Sequence, residues 1–370
     1  MIRKATSLIA AIMCCAVTAM AQIVWHSADT LPLLGKAASH ASTSLRYQRL
    51  PDSLESQVKR PALYYNGRHS SGMAIRFDSD APAIHVKWKS VIMNRLDQMT
   101  PTGVRGLDLY TMLPDSSWTF VNTARPDLAN PVTETCVIGN MDAMPRRYML
   151  YLSLYDCVDS LYIGVPQGYE VSGPDVELPR VDRPVVYYGT SLVHGGCVNR
   201  PGMSHTNILR RRLNRDFINL GFGGNGQLDL EIAHVIAAVP DPGLVILDFV
   251  PNCSSGQIDT LMIPFTRIIR ASHPDVPILF IECLDHPKCR FDTALRDAVA
   301  RHNAMMRRRY DDLVAGGIGG NIHYLPSAGL LGDDNEHTVD ALHMTDLGST
   351  RFADSLEPVI RHLLSLPSTK

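Results

Sequence analysis

The sequence lacks any strong excess of charge of one sign. Its 35 lysine and arginine residues stand against 37 aspartate and glutamate residues, which gives a formal charge of -2 over 370 residues. Without a net positive field over the whole chain, binding to a polyanion has no general electrostatic support. Nucleic acid is therefore not expected as a partner.

Extremes of composition are also missing. Hydrophobic residues make up 45% of the chain, charged residues 19% and aromatic residues 7%, and we find neither an internal repeat nor a low-complexity tract. These values exclude a disordered, collagen-like or coiled-coil chain. A length of 370 residues favours two or three folded domains over a single one.

Long hydrophobic runs are absent except near the N-terminus. There two basic residues precede an apolar run at residues 8–17, and Ala19 and Ala21 supply small residues at a cleavage position. The run is too short to span a membrane as a mature helix and is typical of a secretory signal peptide. We expect residues 1–21 to be removed, and the mature protein to be periplasmic or secreted and to have no membrane span.

Cysteine is sparse and is not arranged as in a zinc site. Two of the eight cysteines lie in the predicted signal peptide, and the others lack the paired two-residue separations that structural zinc sites use. The remaining cysteines are Cys136, Cys157, Cys197, Cys253, Cys283 and Cys289. An oxidising compartment permits disulfides, but buried free thiols suit a domain of this size equally well, so the sequence leaves the pattern open.

Residues 22–178 have the pattern of a strand-rich domain. Short apolar or alternating runs are separated by clusters of Gly, Pro, Asn, Asp and Ser, at the spacing of a sandwich. The predicted strands are residues 62–65, 73–77, 83–88, 107–112, 118–121, 133–138, 148–154 and 161–165. This pattern predicts an antiparallel β-sandwich of jelly-roll type.

Residues 179–370 have a different pattern. After a linker rich in Pro, Asp and Glu, continuous apolar runs alternate with helical patterns. The predicted strands are residues 185–188, 217–220, 245–249, 278–281 and 322–325, and the predicted helices are residues 203–214, 228–239, 258–271, 294–310 and 345–364. The alternation predicts a three-layer α/β domain with a mostly parallel sheet, in which chemistry belongs at the carboxyl ends of the strands.

A candidate nucleophile follows the first strand of this domain. Ser191 lies in the segment YGTSLVHGG, residues 188–196. A serine hydroxyl is a weak nucleophile unless a histidine takes its proton and a third group orients that histidine. On its own, a serine after a strand is more often a helix cap, so the interpretation depends on partners elsewhere.

Two carboxylate and histidine pairs precede the last predicted helix. Asp340 and His343 are three positions apart, and so are Asp334 and His337. On a loop, this spacing lets the carboxylate bind one ring nitrogen while the other acts as a general base. The acidic neighbours of the earlier pair are typical of a solvated loop, so the later pair is preferred.

The second and third predicted strands end in further candidates. The loop GFGGNG at residues 221–226 fits the spacing G-x-G-x-x-G, and Asp248 lies where a ribose-binding acid would follow it, which leaves a nicotinamide oxidoreductase as an alternative. In the other interpretation, a backbone N–H of the glycine loop and the amide of Asn252 stabilise an oxyanion. The second interpretation is favoured because Ser191 falls at the same edge of the predicted sheet.

In this order, these residues resemble the SGNH or GDSL-type hydrolase superfamily over about residues 181–364. The motif GTSxxHGG matches the nucleophile block at Ser191, and Gly224 and Asn252 match the two oxyanion blocks. The motif DxxH before a Thr-Asp-x-Gly helix start matches Asp340 and His343.

The first half extends the resemblance. Residues 106–110, GLDLY, are similar to the G-x-D-L-Y motif of the β-sandwich that precedes a branch of exported bacterial esterases, a branch in which G-T-S replaces G-D-S. Within the motif, we expect Asp108 and Tyr110 to be structural. Gly223 departs from the pattern because a serine is common there.

The resemblance implies a flavodoxin-like hydrolase domain that cleaves carboxylic esters with no metal and no other cofactor. The triad would be Ser191, His343 and Asp340. The oxyanion hole would consist of the backbone N–H groups of Ser191 and Gly224 and the amide of Asn252.

His194 and Arg200 lie close to Ser191 in the sequence. We expect His194 to be structural or to contact substrate. Arg200 is expected to be a surface residue, with orientation of a loop or contact with an acidic substituent of the substrate as alternatives. The expected substrate is a short-chain ester, acetyl first, on a carbohydrate or another small alcohol. A non-catalytic carbohydrate-binding protein and a lipase or thioesterase of the same fold remain alternatives. The sequence leaves the oligomeric state open.

Overall fold

A computed structural model describes residues 22–37, 42–318 and 320–367 of the chain. The predicted signal peptide, residues 1–21, lies outside the described residues. Its cleavage and the export of the protein therefore stay predictions.

The N-terminal half is a sandwich of two antiparallel sheets. Its strands are β1 (Ile23–Ser27), β2 (Leu33–Leu34), β3 (Ala74–Ser79), β4 (Ile84–Ser90), β5 (Leu107–Met112), β6 (Trp118–Ala124), β7 (Val132–Ile138), β8 (Arg146–Tyr151) and β9 (Val158–Pro166). The strand orders are β1-β9-β4-β7 and β2-β3-β8-β5-β6. Side chains of both sheets, including Phe77, Trp88, Leu150 and Ile163, are fully buried in one core. The predicted sandwich is confirmed.

One predicted strand of this half is wrong. Residues 62–65 lie in helix α1 (Pro61–Gly67), and a second short helix, α2 (Pro101–Arg105), also begins with proline. Proline suits the first helical position because its φ is already helical and its missing N–H would have no partner there. The apolar run Ala-Leu-Tyr-Tyr is only four residues long, so its hydrophobic periodicity cannot distinguish a strand from a short helix.

The C-terminal half is a three-layer α/β domain. Its parallel strands have the order β11-β10-β12-β13-β14. They are β10 (Arg180–Gly189), β11 (Arg215–Gly221), β12 (Leu244–Asp248), β13 (Ile278–Ile281) and β14 (Ile322–Leu325). The helices are α3 (Ser191–His194), α4 (His205–Leu213), α5 (Leu230–Ala237), α6 (Ser255–Ser272), α7 (Thr293–Ala315) and α8 (Asp346–Leu363). Separate cores lie on the two faces of the sheet, one under α5, α6 and α7 and one under α4 and α8, which confirms the predicted fold class.

The register of the parallel sheet aligns the functional loops. Gly189 at the end of β10 pairs with Gly221 at the end of β11 and with Asp248 at the end of β12. The chain therefore leaves these three adjacent strands at one level. The loops that follow begin side by side at the carboxyl edge of the sheet.

The two halves are not packed as independent modules. Leu50, Leu63 and Tyr64 of the N-terminal half are buried in the core that covers one face of the parallel sheet. The segment around α1 thus completes the α/β core. None of the helices in the described ranges is both long and apolar enough to cross a membrane.

Candidate active site

The structure brings Ser191, His343 and Asp340 together. Ser191 is the first residue of α3, a single turn directly after β10, which exposes its hydroxyl at the edge of the sheet. The Nε2 atom of His343 lies 2.9 Å from Ser191 Oγ, and the Nδ1 atom of His343 lies 2.7 Å from Asp340 Oδ2. This chain of two hydrogen bonds is the arrangement in which a histidine can take the proton of a serine.

The loop before α8 fixes Asp340 against His343. The second carboxylate oxygen of Asp340 accepts the backbone N–H groups of Leu342 at 3.1 Å and of His343 at 2.7 Å. Burial acts to raise the pKa of Asp340, but its hydrogen bonds from the His343 backbone and ring outweigh burial and lower it. Asp340 is therefore ionised and orients the imidazole.

The earlier pair, Asp334 and His337, is not assembled in this way. Both oxygens of Asp334 bind the guanidinium of Arg351, at 2.7 and 2.8 Å. These hydrogen bonds hold the pKa of Asp334 well below its usual range. The His337 ring is buried, and neither of its nitrogens has a hydrogen-bond partner among the described residues.

Two backbone N–H groups beside the serine are available to an oxyanion. Within the described part of the chain, neither the N–H of Ser191 nor that of Gly224 donates to a protein acceptor. Gly224 has a φ of +68°, a conformation that favours glycine. Ser191, Gly224 and Asn252 all line one cavity of about 350 Å³.

The Asn252 side chain has one orientation that satisfies its oxygen. When Oδ1 faces the backbone N–H groups of Asn225 and Gly226, it accepts from both at 3.2 Å. In this orientation the loop holds the carboxamide by its oxygen. The Nδ2 hydrogens are then free to donate into the cavity that Asn252 lines with Ser191.

His194 does not line the cavity, so of the two roles expected for it, structural or substrate-contacting, the structure supports the structural one. Its ring has no exposed surface and stacks on Tyr155 at a centroid distance of 4.0 Å. Nδ1 accepts the backbone N–H of Gly223 at 3.3 Å, so the neutral ring carries its proton on Nε2, 2.9 Å from the Leu154 carbonyl. Burial, followed by the charge of Arg49, lowers the pKa of His194 well below its usual value.

Arg200 is also turned away from the serine. Its guanidinium donates to Asp108 at 2.9 Å and to the Tyr110 hydroxyl at 2.7 Å, and lies 3.8 Å from the centroid of the Phe120 ring. Asp108 also accepts the Gly202 N–H at 2.7 Å. The GLDLY motif therefore holds the loop after α3, and Arg200 joins the two halves of the chain.

Sequence reasoning missed the residues of the N-terminal half that reach the site. The Asn66 amide donates to the Gly223 carbonyl at 2.8 Å, and the buried Arg49 guanidinium donates to the Gly221 carbonyl at 2.8 Å. Leu96 and Met99, on the loop between β4 and α2, line the cavity around Ser191. No motif marks these positions, because each acts through a contact more than 90 residues away in the sequence.

The position of Asp248 contradicts its interpretation as a ribose-binding acid. The side chain is fully buried, and neither carboxylate oxygen has a hydrogen-bond partner among the described residues. A ligand at the glycine loop cannot reach it. Helix α5 also begins only after Asp229, three residues beyond Gly226, so no helix N-terminus meets the loop where a pyrophosphate would bind.

Two family models match the chain. One is described as the GDSL-like lipase/acylhydrolase family and matches residues 182–361. The other is described as the N-terminus of SGNH-hydrolase-type esterases, carries the name GxDLY, and matches residues 23–171. No curated protein matches the chain.

Solved structures resemble most of the chain. A protein described as a GDSL-like lipase from Bacteroides ovatus is 30% identical, covers 94% of this chain and 100% of its own, and has a TM-score of 0.87. A salicylyl-acyltransferase from a tetracycline biosynthetic pathway is 18% identical, with coverage of 94% and 99% and a TM-score of 0.73. A family two carbohydrate esterase from Cellvibrio japonicus is 12% identical, with coverage of 94% and 99% and a TM-score of 0.54.

The acyltransferase and the carbohydrate esterase share the fold with this chain. The Bacteroides ovatus protein is similar in sequence as well, over its full length. The two family models cover the two halves in the order that the motifs predict. The chain belongs to the GDSL-like lipase/acylhydrolase family and is a carboxylic-ester hydrolase.

Proposed function

We propose that the protein is an exported serine esterase that removes short acyl groups, acetyl first, from carbohydrate through an acyl-enzyme. The observation that carries the chemistry is the hydrogen-bonded chain from Ser191 through His343 to Asp340, at 2.9 and 2.7 Å. Every side chain in the proposed mechanism comes from a segment that follows a strand at one edge of the parallel sheet. No metal or cofactor enters the reaction.

In the first step, His343 takes the proton of Ser191 as the serine oxygen attacks the ester carbonyl. The developing charge is stabilised by the N–H groups of Ser191 and Gly224 and by the Asn252 amide. His343 then protonates the leaving alcohol. In the second step, water attacks the acyl-enzyme, again with His343 as the base, and the acid leaves.

The size and lining of the cavity at Ser191 support a short acyl group. Its volume is about 350 Å³, and Leu96, Met99 and Leu342 provide apolar wall. Met99 comes from the N-terminal half and is itself almost fully buried. An acyl chain that extended past Met99 would have to displace this packed side chain, which costs free energy.

A cavity of about 700 Å³ at the ends of β13 and β14, lined by charged and polar side chains as well as by leucines, supports a hydroxyl-rich alcohol. Its lining includes Arg290, Arg296, Asn335 and His337, which offer hydrogen-bond donors of several kinds. Next to it, the phenyl ring of Phe291 is 87% exposed, and an exposed ring can stack on the apolar face of a sugar. The shared fold with family two carbohydrate esterases is further support.

The reaction is tested with 4-nitrophenyl acetate and a fluorophosphonate probe. We expect the wild type to hydrolyse the ester and to be labelled at Ser191. We expect Ser191→Ala to lose both properties while its far-ultraviolet circular dichroism stays unchanged, since only one hydroxyl is removed. Labelling at another serine, or an active Ser191→Ala variant, would overturn the proposed mechanism.

The export part of the proposal rests on the N-terminal sequence alone. N-terminal sequencing of the mature protein, expressed from its full-length gene, should give Gln22 as the first residue. A cytoplasmic protein that retains Met1 would contradict it.

A further inference from the structure

A thiol that the proposed mechanism does not use lies beside the catalytic pair. Cys197 lines the same cavity as Ser191 and His343 and is 6% exposed. Its φ is +72°, in the left-handed region that costs a non-glycine residue about 1–2 kcal/mol. Two glycines precede it, yet the strained position carries a side chain, and such strain is typical of functional sites.

The thiol, the carboxylate and the imidazole form a group of potential metal ligands. A ligand atom of each of Cys197, Asp340 and His343 lies within 4.8 Å of the other two. Atoms bound to one tetrahedral zinc ion lie about 3.3–3.8 Å apart, given bonds of about 2.0–2.3 Å. A movement of about 1 Å, within the range of side-chain rotation, closes this difference.

The chemistry of the three donors selects the metal. Thiolate and imidazole are zinc ligands, whereas Mg²⁺ and Ca²⁺ prefer sets made only of oxygens. Three protein ligands leave a fourth position for water, as in open zinc sites. No other group of three such side chains meets the same distance criterion in the described ranges of the chain.

We propose that Cys197, Asp340 and His343 bind Zn²⁺ and that the bound ion reversibly inhibits the esterase. The thiol releases its proton to solvent as the Zn–S bond forms, and the ion replaces the proton between His343 Nδ1 and Asp340. The neutral ring then carries its proton on Nε2, the atom that faces Ser191, and cannot accept the serine proton. No oxidation or reduction occurs.

Inhibition is tested with 4-nitrophenyl acetate over a series of ZnCl₂ concentrations, followed by EDTA. The variants are Cys197→Ala and, as the control, Cys136→Ala, which removes an exposed thiol on β7. Each rate is divided by the metal-free rate of the same variant. We expect half-inhibition of Cys197→Ala to need at least tenfold more zinc, Cys136→Ala to behave as the wild type, and EDTA to restore activity. Equal sensitivity of all three proteins would overturn the proposal.

The inhibitory effect rests on the proposed roles of His343 and Asp340, so binding is measured separately. Co²⁺ is added to Ser191→Ala, which keeps all three ligands but has no nucleophile. We expect a thiolate-to-cobalt absorption band in the near ultraviolet, lost in the variant that also carries Cys197→Ala. A band that is absent from the first variant, or that persists in the second, contradicts the site whether or not the protein hydrolyses esters.

Discussion

Asp340 and Asp334 lie six residues apart, each three residues before a histidine, but they hold different partners. Asp340 binds the imidazole that faces Ser191, whereas Asp334 binds Arg351 near the start of α8. The substitution Asp→Asn is therefore informative at both sites, because it preserves shape and removes charge.

We expect Asp340→Asn to lower kcat for 4-nitrophenyl acetate by a factor on the order of 10⁴, because the amide favours the wrong tautomer of His343. Asp334→Asn should change kcat less than about threefold while lowering the melting temperature slightly, because it weakens an exposed ion pair. Steady-state kinetics of both variants provide the check. A severe loss in Asp334→Asn with an active Asp340→Asn would move the base to His337.

Asp248 should make the stability of the protein depend on pH, because it is fully buried without a hydrogen-bond partner among the described residues. Burial raises the pKa of Asp248 to about 7, against 3.8 for the ordinary carboxyl. Protonation is thus easier in the folded state. The stability that this group contributes is fully present below pH 3.8 and is lost as the pH rises through about 7.

The variant Asp248→Asn should remove this pH dependence. Between pH 5 and pH 8 the wild type should lose stability equivalent to about two pKa units as the buried Asp248 ionises, whereas the amide of the variant does not ionise. Relative to the wild type, we therefore expect the free energy of unfolding of the variant in urea to rise by roughly 3 kcal/mol over this range. The Tyr187 side chain lowers the pKa of Asp248, so Tyr187→Phe should keep the pH dependence and shift it to higher pH. A difference between variant and wild type that stays constant with pH would mean that Asp248 is ionised throughout.

At the scale of elements, the loop after β11 is held partly by the other half of the chain. Its Gly223 donates to His194 and accepts from Asn66, and its neighbour Gly221 accepts from Arg49. These contacts fix the peptide that precedes the Gly224 N–H. The N-terminal half therefore positions the oxyanion loop as well as packing against the sheet.

We expect Asn66→Ala to lower kcat for 4-nitrophenyl acetate about tenfold with little change in KM, because a loosened Gly224 N–H matters mainly in the transition state. The matched control is Asn130→Ala, at an exposed turn between β6 and β7, which should keep wild-type kinetics. A purely structural role of Asn66 would instead lower the melting temperature and leave the kcat of the folded fraction unchanged.

At the scale of the whole molecule, the proposed acyl site lies where the two halves meet. Leu96, Met99 and Tyr155 of the N-terminal half face Ser191 and Asn252 of the C-terminal half across the cavity. The sandwich is thus part of the wall that limits the acyl chain. Neither half forms the cavity alone.

We expect the rates of wild-type hydrolysis to fall from acetyl to octanoyl 4-nitrophenyl esters. Met99→Ala should shift the preferred acyl length toward butyryl or longer esters, because it removes part of the cavity wall and leaves the triad unchanged. Met144→Ala, at an exposed methionine of the sandwich, should leave the order unchanged. A wild-type rate that increases steadily to octanoyl would favour the lipase or thioesterase alternative.

Much of the fold could be predicted because it depends on periodicity. Alternating short runs specified the sandwich, and continuous apolar runs separated by helical patterns specified the parallel sheet, with the runs at residues 278–281 and 322–325 matching β13 and β14. The error at residues 62–65 has the same origin, since four apolar residues carry too little period to exclude a helix.

The sequence by itself determined which residues could meet at the edge of the sheet. Ser191, the glycine loop and Asn252 follow successive parallel strands, and the carboxyl ends of such strands lie together whatever the rest of the chain does. The motifs before α8 then supplied an Asp and a His at the right spacing. The strand patterns and the short motifs that follow them are local properties of the sequence.

Only the tertiary structure decided how the site is enclosed and supported. It buried His194 under the oxyanion loop, turned Arg200 toward Asp108, and brought Asn66 and Met99 to the cavity. It also placed the Cys197 thiol beside Asp340 and His343. These contacts join residues from about 30 to more than 150 positions apart, some within the α/β half and some between the two halves, so no period or motif in the sequence could have revealed them.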